Sequence, residues 1–360
     1  MDERGDFNRN GGLTLVPMPG FEKQAEAVKT KVEEIGRREG KRRTFVDIVI
    51  PEFGERVTHA PYLRLGKDHI GGHDVVVIGG GPGNWTDLGQ LNLLLAYIKG
   101  RRAVRIATIL GCFPLARSDK DIGELEFAMP NYVVGQMLAA TGGKLDRIVS
   151  TDLHADQIVM SAPMGFITPI SLTRRVMAEA ADWIAVRYPS SKVVLAFTDA
   201  GGIKRAKPSI TRVEKDKFNG QSLPIVQGTK TRESSQKSQL DGLTGALSSV
   251  ENAVVLMVDD EFTTGKTSND TAEALTKDHG AKAIVVAVTH GPFSGNVVEL
   301  LLDGGRFIDH IFSTDTIPFY NRPNLEPLFD RNLLTVVPWT DDMGWICFQH
   351  HGDESIRIVR

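Results

Sequence analysis

The chain has 360 residues, 41% hydrophobic and 24% charged, with a formal net charge of -3 and two cysteines. That length exceeds a usual single core, so two domains are expected, and the charge gives no electrostatic footprint for nucleic acid or an anionic membrane. Cys112 and Cys347 cannot build a disulfide framework or a cysteine metal site, which fits a reducing cytoplasm.

No run approaches the ~18 consecutive apolar residues of a membrane helix. The opening MDERGDFNRNGG lacks a signal-peptide core, so residues 1–12 are expected to be a disordered leader. From Leu13 the pattern alternates. LTLVPMPG is a short strand, and FEKQAEAVKTKVEEIGRREG places Ala25, Val28, Val32 and Ile35 on one helical face. After the strand TFVDIVI comes HDVVVIGGGPGNWTDLGQLNLLLAYI, an apolar strand, a glycine-rich turn and a helix. A Gly-x-Gly-x-x-Gly fingerprint fails there: counted from Gly79 the third glycine is Asn84, counted from Gly81 it is Thr86, and Pro82 intrudes. The strand AVRIATILGCF, the helix NYVVGQMLAATGG, the strand DRIVSTDLH, the helix SLTRRVMAEAADWIAVRY and the strand KVVLAFTDAGG follow. A polar stretch leads to VVLMVDDEFTTGKT, a helix ending at Gly280, and AKAIVVAVTHG. Such alternation predicts parallel α/β sheets whose ligands bind beyond the carboxyl ends of the strands. HDVVVIGGGPGNWTD and NAVVLMVDDEFTTGKTSND also echo each other, as a duplicated domain would.

The polar clusters stand at those strand ends. VVLMVDDEFTTGKT ends in Gly-Lys-Thr, but a Walker A loop needs glycine where Asp260 stands, and an acid there repels a triphosphate. Thr264, Gly265, Lys266 and Thr267 opening a helix offer backbone N–H groups, hydroxyls and a positive dipole end to a single phosphate. Asp259 and Asp260 would accept from sugar hydroxyls, directly or through a divalent cation; a solvated strand-to-helix turn is the alternative. In DLHADQ, Asp152 and His154 would share a face if the segment is extended. In FTDAGGIKR, Asp199 precedes two glycines that permit close approach to a phosphate, then Lys204 and Arg205. Arg117-Ser118-Asp119-Lys120-Asp121 and Lys230-Thr231-Arg232-Glu233 read as polar loops whose cations could neutralise transferring phosphates or simply line the surface.

Taken in order, FPLARSDKD, STDLHADQI, TDAGGIKR, VVLMVDDEFTTGKT, VTHGPFSG and TDTIP resemble ribose-phosphate pyrophosphokinase, the phosphoribosyl-pyrophosphate synthetase family, from about Leu13 to the C-terminus. The resemblance implies two duplicated type I phosphoribosyltransferase-like α/β domains, expected at 13–165 and 166–339 with 340–360 packed on the first. It also implies a cytoplasmic homodimer or homohexamer in nucleotide biosynthesis. The implied reaction is Mg²⁺-dependent transfer of diphosphate from ATP to the C1 hydroxyl of ribose 5-phosphate, releasing AMP. By the same resemblance Lys230 and Arg232 brace the transferring group. Arg117, Ser118, Asp119, Asp121, Glu55 and His154 meet ATP, and His154 and Asp199 hold Mg²⁺. Asp259, Asp260, Thr263, Thr264, Gly265, Lys266 and Thr267 hold the ribose phosphate.

The sequence departs from the family at Ser118, where a glutamine is usual, and at Thr263, where an acid is usual. It also departs at Lys266, where a small residue is usual, and in PEFGE, a loose match to the adenine loop. A larger 5-phosphate ester such as ADP-ribose is therefore an alternative acceptor. A phosphoribosyltransferase and a silent regulatory subunit are further alternatives. The first is opposed by DLHADQ and TDAGGIKR, the second by the presence of Arg117, Lys230, Arg232, His154 and Asp199.

Overall fold

A computed structural model describes residues 11–40, 46–66, 70–119, 128–234, 237–303 and 306–356. The chain forms two compact units, 1–171 with 339–360, and 172–338.

In the first unit β1 (Leu13–Pro17) leads into α1 (Glu22–Arg38), β2 (Val46–Ile48) and an antiparallel hairpin of β3 (Pro51–Glu55) and β4 (Pro61–Leu65). Then come β5 (Asp74–Gly79), α2 (Trp85–Gly100), β6 (Arg105–Leu110), α3 (Met129–Thr141), β7 (Leu145–Thr151), α4 (Gln157–Met160) and β8 (Ile167–Ile170). The main sheet runs β2-β1-β5-β6-β7-β8, all parallel. β8 pairs with β7, so the unit extends to Ser171 and not to the expected 165.

The second unit contains α5 (Thr173–Arg187), β9 (Val193–Phe197), α6 (Ala200–Lys217), β10 (Ile225–Ser234), β11 (Lys237–Gly245), β12 (Val254–Glu261) and α7 (Lys266–Lys277). β13 (Ala283–His290), α8 (Val297–Leu302), β14 (His310–Thr314), α9 (Glu326–Asp330) and β15 (Leu334–Val337) complete it. Its sheet runs β11-β10-β9-β12-β13-β14-β15, parallel apart from the β10/β11 hairpin. Alternate residues feed two cores: Val194, Val255 and Met257 enter one, Leu195, Leu256 and Val258 the other. Burial on both faces explains why these strands are unbroken apolar runs.

Strand for strand, β2-β1-β5-β6-β7-β8 corresponds to β10-β9-β12-β13-β14-β15. The two echoing segments, at β5 and β12, occupy the same position in that order.

The last helix, α10 (Thr340–His351), packs on α1 in the first unit. A Cβ at Gly344 would come within 2.5 Å of Lys31, so the glycine permits the close crossing. Lys31 also pairs with Asp341 at 3.1 Å. His351 Nδ1 meets the buried carboxylate of Asp74 at 2.6 Å, and Arg105 holds the same carboxylate at 2.5 Å while pairing with Asp353. These groups tie α10 to β5 and β6.

The polar stretch after TDAGG opens with α6, in which Ala206, Ser209, Ile210 and Val213 are buried at helical spacing despite the internal Pro208. One expectation needs correction: the segment holding Lys230 and Arg232 is not a loop but the β10 arm of a hairpin, with ladder irregularities at Thr229/Lys230 and Arg232/Ser234.

Candidate active site

β12 places Asp259, Asp260 and Glu261 at its carboxyl end because the five preceding residues are buried and the chain emerges from the sheet there. The Thr198 hydroxyl, just beyond β9, donates to Asp259 Oδ2 at 2.7 Å, and the Asp260 N–H donates to Asp259 Oδ1 at 2.9 Å. Arg205 in α6 donates to Asp260 Oδ1 at 2.9 Å. Burial, reinforced by the neighbouring Asp260 carboxyl, pushes the Asp259 pKa up to about 7 against the opposing Thr198 bond. Burial disfavours the charge on Arg205, but Asp260, Asp199 and Asp259 more than offset it, so its pKa is raised. Asp260 is a carboxylate held in one orientation by Arg205.

Asp199 caps α6, its Oδ1 accepting from the Gly202 N–H at 2.9 Å. Gly201 and Gly202 therefore serve the helix start. A Cβ on Gly201 would stand 3.2 Å from both Asp199 and Arg205.

The loop from β12 to α7 turns at Gly265, whose φ of 72° lies in the left-handed region; a Cβ there would come within 2.8 Å of the Phe262 ring. Gly265 supplies no side-chain cap, and no acid stands in the first turn of α7. The first intrahelical bond joins the Asn269 N–H to Gly265 O at 2.8 Å, so the earlier N–H groups face outward with the positive end of the helix dipole.

A second loop fixes the first. Phe262 N–H donates to His290 O at 2.9 Å, Phe293 N–H to Phe262 O at 3.1 Å, and Ser294 N–H to Thr263 O at 2.9 Å. The Phe262 and Phe293 rings pack 5.4 Å apart. His290 Nδ1 lies 2.9 Å from the Thr316 hydroxyl, and Arg322 donates to Gly291 O at 2.8 Å and also to Pro292 O. Burial lowers the Arg322 pKa to about 10. VTHGPFSG and TDTIP are therefore supports of the 259–267 segment. Arg322 and the partnership of Arg205 with Asp260 escaped sequence reasoning.

The expected ribose-phosphate residues are brought together here, although two side chains have local partners. Thr263 donates to Glu261 at 2.6 Å, and the exposed Lys266 ammonium pairs with Asp270 at 2.8 Å. Lys230 and Arg232 stand on β10 in the same unit.

Glu55, Arg117, Ser118, Asp119 and His154 belong to the first unit. Arg117 and Ser118 are exposed in a turn after β6, fixed by Ser118 N–H to Leu115 O at 3.0 Å; Asp121 lies outside the described residues. Glu55 ends β3 and meets His59 at 2.8 Å. β7 stops at Thr151, and Asp152 has φ 32°. The shared face expected from an extended DLHADQ is therefore absent. Asp152 instead accepts from Ser171 at 2.7 Å, and His154 is half-buried.

In this unit the counterpart of the β12 loop is Gly80-Gly81-Pro82-Gly83. A Cβ on Gly80 would lie 2.8 Å from Cys112 O, and one on Gly83 3.0 Å from the Leu115 N. At these two glycines the backbone of the next strand's loop comes too close for a side chain.

Mg²⁺ is commonly held through one or two carboxylates with phosphate oxygens and water, not by an all-protein cage. Among the described residues no group of three or more His, Cys, Asp or Glu could hold a metal, while Asp199 offers a carboxylate at a strand end.

No protein-family model matches the chain. It is 29% identical over 300 residues to the ribose-phosphate pyrophosphokinase of Hyphomonas neptunium, covering 82% of this chain and 86% of that one. It is 27% identical over 332 residues to ribose-phosphate pyrophosphokinase 2 of Schizosaccharomyces pombe, covering 86% and 94%. The crystal structure of phosphoribosylpyrophosphate synthetase from Mycobacterium smegmatis superposes with a TM-score of 0.71 at 20% identity, over 95% of this chain and 99% of that one. That match shows the fold. The sequence relatives cover most of its length, so the chain is similar from end to end to ribose-phosphate pyrophosphokinases.

Proposed function

We propose that the protein transfers a diphosphate group from ATP to the C1 hydroxyl of ribose 5-phosphate. The observation that carries this reading is the pairing of Asp259 and Asp260 with the uncapped start of α7 only a short loop away. Acids accept from the 2- and 3-hydroxyls of a ribose, while outward N–H groups at 266–268 take its 5-phosphate. The C1 oxygen attacks the β-phosphorus, a new C1–O–P bond forms, and the bond from that phosphorus to the α–β bridging oxygen breaks. AMP leaves with the bridging oxygen, and the C1 hydroxyl proton passes to solvent or a carboxylate.

Arg205 keeps Asp260 aligned, and the 290–294 segment keeps the phosphate loop in register, so the acceptor is positioned before transfer. Arg117, Ser118, Asp119 and Asp121 would meet the nucleotide, with Glu55 near its base, and Lys230 and Arg232 would brace the moving phosphates. In this proposal His154 and Asp199 are the residues that would hold Mg²⁺, which would supply charge neutralisation on the phosphate oxygens. Assembly as a homodimer or homohexamer in the cytoplasm is part of the same proposal.

A larger ester such as ADP-ribose is the second reading. It is favoured by Lys266, whose ammonium is exposed at the first residue of α7, where a second phosphate would emerge. The test incubates the purified chain with Mg²⁺ and ATP and supplies ribose 5-phosphate or ADP-ribose in parallel, following AMP and the sugar product. Absence of AMP with both acceptors overturns the proposal, and AMP with ADP-ribose alone selects the second reading.

A further inference from the structure

At the opposite end of the same sheet, the amino ends of β13, β14 and β15 border a second concavity of about 380 Å³. The eight residues of β13 place it about 25 Å along the strand from the phosphate loop. Three guanidinium groups line it: Arg187 from the end of α5, Arg306 from the approach to β14, and Arg331 from the turn before β15. One carboxylate, Asp309, faces them. Burial raises its pKa, opposed by the Ile284 N–H, which donates to Oδ2 at 2.8 Å, and by Arg306, which lies near enough to favour the charged form.

The floor is rigid. Trp183 stacks on His310 at 4.6 Å, and His310 is fixed on both ring nitrogens, by Asn332 O at 3.0 Å and the Thr335 hydroxyl at 2.8 Å. Burial lowers the His310 pKa, so it adds little positive charge of its own. Arg306 donates to Leu301 O at 3.2 Å, and Arg187 bonds the Tyr188 hydroxyl.

With three guanidinium groups against one carboxylate the concavity keeps a positive excess, and guanidinium forks match phosphate oxygens. The volume falls within the ~300–1,000 Å³ usual for small-molecule sites. We propose that this concavity is a second anion site, taking the phosphate or diphosphate group of a small molecule, separate from the acceptor site on the other end of the sheet. It does not depend on the proposed reaction.

The test is hydrogen–deuterium exchange of the full chain titrated with inorganic diphosphate and, separately, inorganic phosphate, with potassium chloride at matched ionic strength as control. Either anion is expected to slow exchange in peptides covering 306–310 and 328–335. In Arg331→Gln that protection should need at least about tenfold more anion, while any protection at 262–268 is unchanged. A circular-dichroism melt confirms that the variant is folded, and Arg187→Gln provides a second variant if it is not. Two results overturn the proposal: no protection at 306–335 from either anion at millimolar concentration, or equal protection by potassium chloride or in both variants.

Discussion

Burial beside Asp260 raises the Asp259 pKa to about 7, so under the proposed function sugar binding should depend on pH. An ionised carboxylate accepts from two ribose hydroxyls; a protonated one gives up part of that capacity. KM for ribose 5-phosphate should therefore fall as the pH rises through about 7, and Asp259→Asn should flatten the profile in steady-state kinetics. Stability runs the other way. Between the ordinary carboxylate value and about 7, the folded state holds a proton that the unfolded chain has released, so the site's contribution to stability declines across that window as pH rises. Gly265 gives a second prediction at this scale. Alanine there meets both a left-handed backbone and the Phe262 ring, so Gly265→Ala should lower stability by about 1–2 kcal/mol or more. It should also weaken sugar-phosphate binding, read by a thermal melt with and without ligand.

At the scale of elements, the phosphate loop owes its shape to a neighbour rather than to its own sequence. Phe262 is 1% exposed and lies in the core under α7. Phe262→Ala should cost about 3–5 kcal/mol, measured by urea unfolding. Arg322→Ala should leave the carbonyls of 291 and 292 without their donor and speed amide exchange at 262–268, while ATP binding is unchanged. The loop and its acids were legible in the sequence because a buried parallel strand must be apolar until it emerges, and emergence exposes the polar end. Arg322 and the pairing of Arg205 with Asp260 were not legible. Those partners stand 31 and 55 positions apart along the chain and meet only through crossovers. The α6 stripe of Ala206, Ile210 and Val213 was visible as helical spacing, but the surrounding lysines and Pro208 obscured it. DLHADQ failed for a local reason: a single residue, Asp152, leaves the extended region and ends the alternation on which a shared face depends.

On the scale of the whole molecule, α10 closes the first unit through a buried charged cluster. Arg105 and His351 hold the Asp74 carboxyl well below the usual carboxylate range, against the opposing effect of burial. This contribution is complete above the unfolded carboxylate value of about 4 and is lost as pH falls below it, so acid unfolding should begin in the first unit. Asp74→Asn should cost a few kcal/mol, about 3, because it removes the buried charge that Arg105 and His351 share and leaves Arg105 only its pair with Asp353, and differential scanning calorimetry should show the loss in one of two transitions.

Because 339–360 returns to the unit that 11–171 began, the second unit is an insertion within the first. During synthesis residues 172–338 can complete their own sheet while β5 and β6 still wait for α10. Chains halted after residue 338 should thus yield a protease-resistant second unit beside a digestible first one. The unit that opens the chain would then become whole only after the one inserted into it, once α10 docks on α1.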